Sequence, residues 1–232
     1  MTATEDLFTP IHKAIRSMIY DLGARLQSND FADPATTGPL LADLEHEFSA
    51  AMSAGCVLCV VHHHATDEEG QVFPSLARFD PELLRRLIDE HHHFGVRLSA
   101  ITGMARGIAA SSRAEERVAA GIALNREAND FFAAYLAHMN LEDERLIPMM
   151  REHFTDEQMR AMRGAIMGGM PPDRLATVLR WMLPSLNVQE LSAMLGGLRQ
   201  GAPPPLRALV SGVAAARLDP ERWKLVQARV GG

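Results

Sequence analysis

Two segments of the chain carry the same spacing of one imidazole, one carboxylate and one proline. His64-Ala-Thr-Asp-Glu68 is followed six residues later by Pro74, and His138-Met-Asn-Leu-Glu142 six residues later by Pro148. Both read His-x3-Glu-x5-Pro, with an apolar residue, Phe73 or Ile147, just before the proline. A second repeat lies upstream of each. His12 is followed by Ile15, Ile19 and Leu22, and His91 by Phe94, Leu98 and Ile101, at the same three offsets. The chain therefore presents, in order, a His, a His-x3-Glu, a His and a His-x3-Glu. Residues four apart are neighbours on one helix face, so each His-x3-Glu aims two donor groups at one object. His153-x3-Glu157 shares the shorter spacing, but position 163 is Arg rather than Pro, and it is read as a solvated helix end.

The apolar residues recur at helical spacing almost throughout, and strand-like alternation is hard to find. A first helix is expected from Glu5 to Gln27, with Phe8, Ile11, Ile15, Ile19, Leu22 and Leu26 as its stripe. The polar stretch Ser28 to Pro39 ends it, and a second helix follows from Leu40 to Thr66 with a loop after it containing Gly70 and Pro74. A third begins at Asp80-Pro81-Glu82, where an N-cap, a first-position proline and an acid at the positive helix end coincide. The fourth starts at a capping box, Ser112-x-x-Glu115, and runs to Met150. Four long helices with modest loops predict an all-α, antiparallel up-down-up-down four-helix bundle over residues 1–154. Residues 155–232 read as an extension of four or five short helices. Thr155-x-x-Gln158, Asn187-x-x-Glu190 and Asp219-Pro220-Glu221 are its start signals, and Met159, Met162, Leu183, Leu195 and Trp223 its expected packing residues. It is expected to pack on the bundle or serve association.

Composition narrows the function classes. The net charge is −6 with no basic cluster, so neither nucleic acid nor an anionic membrane is an expected partner. No apolar run approaches the ~20 residues of a membrane span, and the N-terminal residues do not read as a signal peptide. Two cysteines exclude a disulfide scaffold and fit a reducing cytoplasm. Histidine, at ten residues, is the overrepresented type.

Burying four imidazoles and two carboxylates at one level of a helical core needs a compensating charge. A pair of divalent or trivalent metal ions meets that need. If each carboxylate bridges two ions, each ion holds two His nitrogens and two carboxylate oxygens. A solvent-derived oxo or hydroxo bridge makes five, and an octahedral ion keeps one open position. Imidazole with carboxylate suits iron, and also manganese or zinc. The register within His62-His63-His64 and His91-His92-His93 is ambiguous, since adjacent helical residues diverge by about 100°. Pro74 favours His64 with Glu68 over His63 with Asp67, and the apolar followers favour His91 over His92 and His93.

This order of motifs resembles the hemerythrin-like, or HHE cation-binding, proteins over Leu7 to Phe154. The resemblance implies a four-helix bundle around a non-haem di-iron centre that binds oxygen, nitric oxide or peroxide. Carried over onto matching positions, the ligands are His12, His64, Glu68, His91, His138 and Glu142, with Glu68 and Glu142 as bridging acids. The chain departs from the oxygen carriers, whose third helix offers two His four apart and whose last acid sits five residues after its His. Here position 95 is Gly and Glu142 lies at +4. The layout is closer to the di-iron proteins linked to nitric-oxide stress and iron-centre repair, although the cysteine-containing N-terminal domain of those proteins is not seen here. Residues after Thr155 resemble the C-terminal extension of some bacterial members.

Other residues read as structural. Cys56-x2-Cys59 is expected to be packing rather than a redox or thiolate pair. His46 is too far along its helix to be a ligand, and Tyr135, one turn before His138, is expected in the core. Of Asp67, Glu68 and Glu69, one is expected inward and two solvated. Three functions follow as expectations. The first is a binding or sensing protein for a small oxidant, including its storage or detoxification. The second is a di-iron enzyme consuming peroxide or serving nitric-oxide stress and iron-centre repair. The third is a redox-reporting interaction module using residues 155–232 for a homodimer or protein partner.

Overall fold

The structure is a computed structural model that describes residues 5–48 and 60–231. The regular structure of the described residues is helical, without a strand. Helix α1 spans Thr9–Ser28, α2 Pro34–Phe48 and α3 Val60–Asp67. A wide turn at Glu68–Val72 leads into the short α4, Phe73–Leu76. The long helices α5 (Pro81–Ala110) and α6 (Ala114–His153) follow, then α7 (Asp156–Gly168), α8 (Pro172–Ser185), α9 (Val188–Gly201), α10 (Pro204–Arg217) and α11 (Pro220–Gly231). No helix among the described residues is long and apolar enough to cross a membrane.

Local chemistry explains most boundaries. Asp80 caps α5 by accepting the Leu83 N–H, and Thr155–Gln158 and Asn187–Glu190 form reciprocal capping boxes on α7 and α9. Four boundaries differ from the sequence expectation. The first helix begins at Thr9 rather than Glu5, because Asp6 accepts the N–H groups of Phe8 and Thr9 and turns the chain there. The second begins at Pro34, six residues before Leu40, with Asp33 accepting the Ala35 N–H. The Ser112–Glu115 capping box does not form. Arg113 takes the cap position, and Ser111 instead accepts the Arg113 N–H and donates to Glu116. The expected loop around Gly70 and Pro74 is helical: the Phe73 N–H reaches back five residues to the Glu68 carbonyl, so the helix widens for one turn. Such wide turns occur mostly as single insertions, often at functional sites. The middle of the expected second helix, with Met52, Cys56 and Cys59, lies outside the described residues.

Helix α1 packs against α2, α3 and α6, and α5 against α2 and α6. Their apolar stripes form two clusters. One contains Ile15, Ile19, Leu22, Val61, Phe94, Leu98, Phe131 and Tyr135. The other contains Phe8, Val72, Phe73, Leu87, Leu146 and Met150. Along α1 and α5 the chain passes from the Phe8–Leu87 cluster to the Ile15–Phe94 cluster; along α3 and α6 it passes the other way. A third cluster, with Leu175, Leu183, Leu191, Leu195, Val210 and Val226, belongs to α8–α11. Met159 joins the Phe8 cluster, Met162 packs beside it, and Trp223 packs on the third. Helix α8 lies along α1, and buried or half-buried ion pairs tie α8 and α9 to the earlier helices: Arg174 of α8 to Asp67 of α3, Arg180 of α8 to Glu47 of α2, and Glu190 of α9 to Lys13 of α1 at 2.5 Å.

The turn between α1 and α2 is held on α6. The Phe31 ring lies over Gly121, where an added Cβ would sit 2.3 Å from a ring carbon. Arg117, buried one turn earlier, donates to the carbonyls of Phe31 and Ala32. Gly121→Ala is therefore expected to lower stability by about 1–3 kcal/mol, the cost of overpacking a closed site. Thermal unfolding checks this, with an unchanged melting temperature as the contrary result.

Candidate metal centre

The six residues His12, His64, Glu68, His91, His138 and Glu142 meet at the level between the two apolar clusters, and none is more than 6% exposed. Each is placed by the apolar residues one turn away on its own helix. Phe8 and Ile15 flank His12, Leu87 and Phe94 flank His91, and Tyr135 and Leu146 flank the His138–Glu142 pair. The rings are boxed by aromatic neighbours. Phe73 stacks on His91 at 5.8 Å between centroids, and Phe94 meets His138 edge-on at 5.2 Å.

The imidazoles face each other in two pairs. Nε2 of His12 lies 3.0 Å from Nε2 of His64, and Nε2 of His91 lies 2.9 Å from Nε2 of His138. The carboxylates span the pairs. One oxygen of Glu68 is 3.1 Å from His64 and the other 3.4 Å from His91. One oxygen of Glu142 is 3.1 Å from His138 and the other 3.4 Å from His12. These four buried oxygens approach the nitrogens without hydrogen-bond geometry, and none has a hydrogen-bond partner. Donor atoms of His12, His64, Glu68 and Glu142 all lie within 4.8 Å of one another, as do those of His91, His138 and Glu142.

The far sides of the rings explain what the near sides can do. Nδ1 of His12 bonds Asp143 at 2.7 Å, Nδ1 of His91 bonds Glu69 at 2.8 Å, and Nδ1 of His138 bonds Glu90 at 2.7 Å. An ionised carboxylate only accepts, so each of these Nδ1 atoms carries the proton. In a neutral ring the lone pair is then on Nε2, aimed inward. Two such lone pairs at 2.9 Å repel unless a cation or an extra proton joins them. Within each pair the two pKa values are displaced in opposite directions, one ring favouring its charged form and the other its neutral form. Burial opposes charge on His12, but Asp143, Glu142 and Glu68 outweigh it and hold its pKa well above the ordinary value. Burial and the charge of His12 hold His64 well below. His138 is raised against burial by Glu142 and Glu90, while burial and His138 lower His91. Burial and the facing Glu142 push Glu68 up to about 8, whereas His12 and His138 overcome burial to hold Glu142 below the usual carboxylate range. Four inward nitrogens and two spanning carboxylates are a donor set that fits a pair of cations, with the orphaned oxygens as their anionic partners.

The structure also sorts the ambiguous residues. His64 is buried while His62 and His63 are half-buried, and His91 is buried while His92 and His93 are exposed. His153 is exposed and stacks on Phe79, away from the cluster. Tyr135 is buried beside His138, and His46 is half-buried on α2. Sequence reasoning missed Glu69, Asp143 and Glu90. The expectation that two of Asp67, Glu68 and Glu69 are solvated is corrected: Asp67 pairs with Arg174, and Glu69 holds His91. A signal for two of the missed acids was present, since each repeat continues with a second acid, Glu68-Glu69 and Glu142-Asp143.

Because folding raises the Glu68 pKa from its ordinary 4.5 to about 8, the folded state holds that proton more tightly than the unfolded chain. Its contribution to stability is full below about pH 4.5 and is lost as pH rises to about 8. In chelator-treated protein, Glu68→Gln is expected to flatten the loss of stability across this window, measured by urea unfolding at a series of pH values. Parallel pH profiles for the two proteins would contradict it.

The family model described as the hemerythrin HHE cation binding domain matches residues 5–150. Comparisons with curated proteins and with solved structures returned no match.

Proposed function

The chain belongs to the hemerythrin HHE cation-binding family, and from that premise we propose that it is a non-haem di-iron protein that binds a small oxidant for sensing, storage or detoxification. His12 and His64 would hold one ion and His91 and His138 the other, with Glu68 and Glu142 bridging. Manganese or zinc also suits these donors. One observation carries the reading: two inward imidazole pairs at 2.9–3.0 Å stand beside four carboxylate oxygens that have no hydrogen-bond partner. When bound, the iron pair supplies a redox-active Lewis acid with an open position for O2, NO or peroxide.

The chain's own residues supply the rest. Asp143, Glu69 and Glu90 fix the tautomers of His12, His91 and His138 and keep their Nε2 lone pairs inward. Phe8, Phe73, Phe94 and Tyr135 surround the cluster with apolar surface, which limits water and strengthens its electrostatics. An antiparallel up-down-up-down bundle accounts for the placement. Its support is the opposite sense in which α1 and α5, against α3 and α6, run between the two apolar clusters. We also propose residues 1–154 as the metal-binding unit and 155–232 as a helical extension, in view of its separate apolar cluster. A second reading, an enzyme consuming peroxide, draws on Tyr135, whose ring centre lies 5.7 Å from that of His138 and could pass an electron.

Metal analysis of protein from iron-replete cells tests the proposal, with about two irons per chain and near-ultraviolet charge-transfer absorption expected. Less than one metal per chain would sink it. His64→Ala and His138→Ala are each expected to lose about half the iron or more, while His92→Ala, altering an exposed neighbour, keeps it. Steady turnover of added peroxide would favour the enzyme; a slowly decaying oxygen or nitric-oxide adduct would favour the binding protein.

A further inference from the structure

The two halves of the cluster are related by the internal repeat, and the repeat extends to the acids behind the ligands. Asp143, which follows Glu142, bonds His12; Glu69, which follows Glu68, bonds His91. Each acid thus reaches from a His-x3-Glu segment to the lone His of another helix. Glu90 breaks this symmetry. It precedes His91 and bonds Nδ1 of His138 at 2.7 Å, whereas Ile11 precedes His12. Among the described residues, no carboxylate is paired with Nδ1 of His64. The His91–His138 half therefore has an acid behind both rings, and the His12–His64 half behind one.

The surrounding cations deepen the difference. Asp143 is shared with Arg16, whose Nη2 lies 2.8 Å from its second oxygen, and this cancels its charge. Behind the other half, Arg86 meets Glu90 at 2.8 Å from an exposed position on the same helix, leaving Glu69 as a further negative charge. Asp67, three residues after His64, is paired with Arg174. A carboxylate on Nδ1–H fixes the tautomer and makes Nε2 a stronger donor, and losing it weakens metal affinity by about 10–100-fold. Glu142 belongs to both donor clusters, while Glu68 lies nearer the His12–His64 cluster, at 3.1 Å from His64 against 3.4 Å from His91, so the acids behind the rings must outweigh that difference.

We propose that Glu90 is a positioning residue that makes His91–His138 the tighter metal position, so that this half fills first and His12–His64 second. The inference rests on the two-metal reading above. It assigns unequal roles to two positions that the motif repeat makes look equivalent.

Cobalt(II) titration of the metal-stripped full chain tests it. Visible absorption would follow occupancy, and paramagnetically shifted imidazole N–H resonances would identify the rings engaged. The first equivalent is expected to shift two slowly exchanging N–H signals, from His91 and His138; the second adds the one from His12. Two steps alone would not assign the halves, because ions sharing carboxylates repel each other, so the variants decide. Glu90→Gln is expected to weaken the first step about 10–100-fold, leave the second nearly unchanged and make one early N–H signal exchange fast. Asp143→Asn is expected to weaken the second step only. A purely structural role for Glu90 would weaken both steps alike without selective loss of the N–H signal, and that result would overturn the assignment. First-step signals from His12 would overturn it as well. Uptake of two cobalt ions with either result leaves the metal-centre reading standing, whereas no uptake by the unmodified chain removes both.

Discussion

Two pairs of imidazole nitrogens, each brought within 3.0 Å inside an apolar core, are the contact around which the molecule is arranged. His91 and His138, whose outer nitrogens are both committed as donors, cannot satisfy one another as neutral rings at that separation, and His12 meets His64 with its own outer nitrogen committed in the same way. A proton or a metal cation must reconcile the His91–His138 pair, and either also joins His12 to His64. Leaving the carboxylates without hydrogen-bond partners tips the chemistry toward cations, since buried anionic oxygens are costly unless paired. The fold maintains this arrangement because the site lies between two apolar clusters that share its four contributing helical segments. Relaxing the repulsion by moving one ring would displace core side chains packed one turn away.

That constraint also gives meaning to the less regular parts of the chain. The wide turn starts at Glu68, at the junction between a residue facing the cluster and one, Glu69, that secures His91 from behind. Proline at position 148 interrupts the hydrogen-bond ladder of α6, yet the helix continues, because Leu146 and Met150 on either side are buried. The extension is tied to the same helices: α8 lies along α1, and its Arg174 pairs with Asp67, the residue before Glu68.

The six residues of the buried cluster were legible in sequence because their spacing is local. Four-residue spacing puts His64 with Glu68, and His138 with Glu142, on one helix face in any helix. The apolar followers of His12 and His91 set which face points inward. Caps at Asp80, Thr155 and Asn187 were legible for the same reason, since each is closed within three residues. The Ser112 cap failed where a competing local bond was available: Ser111 and Arg113 settled the turn one residue away. The helical course through Pro74 was not legible, since proline signals a break unless neighbouring packing overrides it.

By itself, the sequence determined that the chain is helical, that donor groups recur in a twofold pattern, and which six residues share that pattern. Periodicity and spacing act through the backbone, so they survive without knowledge of partners. Only the tertiary structure decided that the carboxylates span the imidazole pairs, that Asp143, Glu69 and Glu90 stand behind three rings, and that the two halves differ. Those contacts join residues 22 to 131 positions apart in the chain. Such contacts depend on how helices rotate and slide against each other, which follows from packing across the whole core rather than from any local spacing.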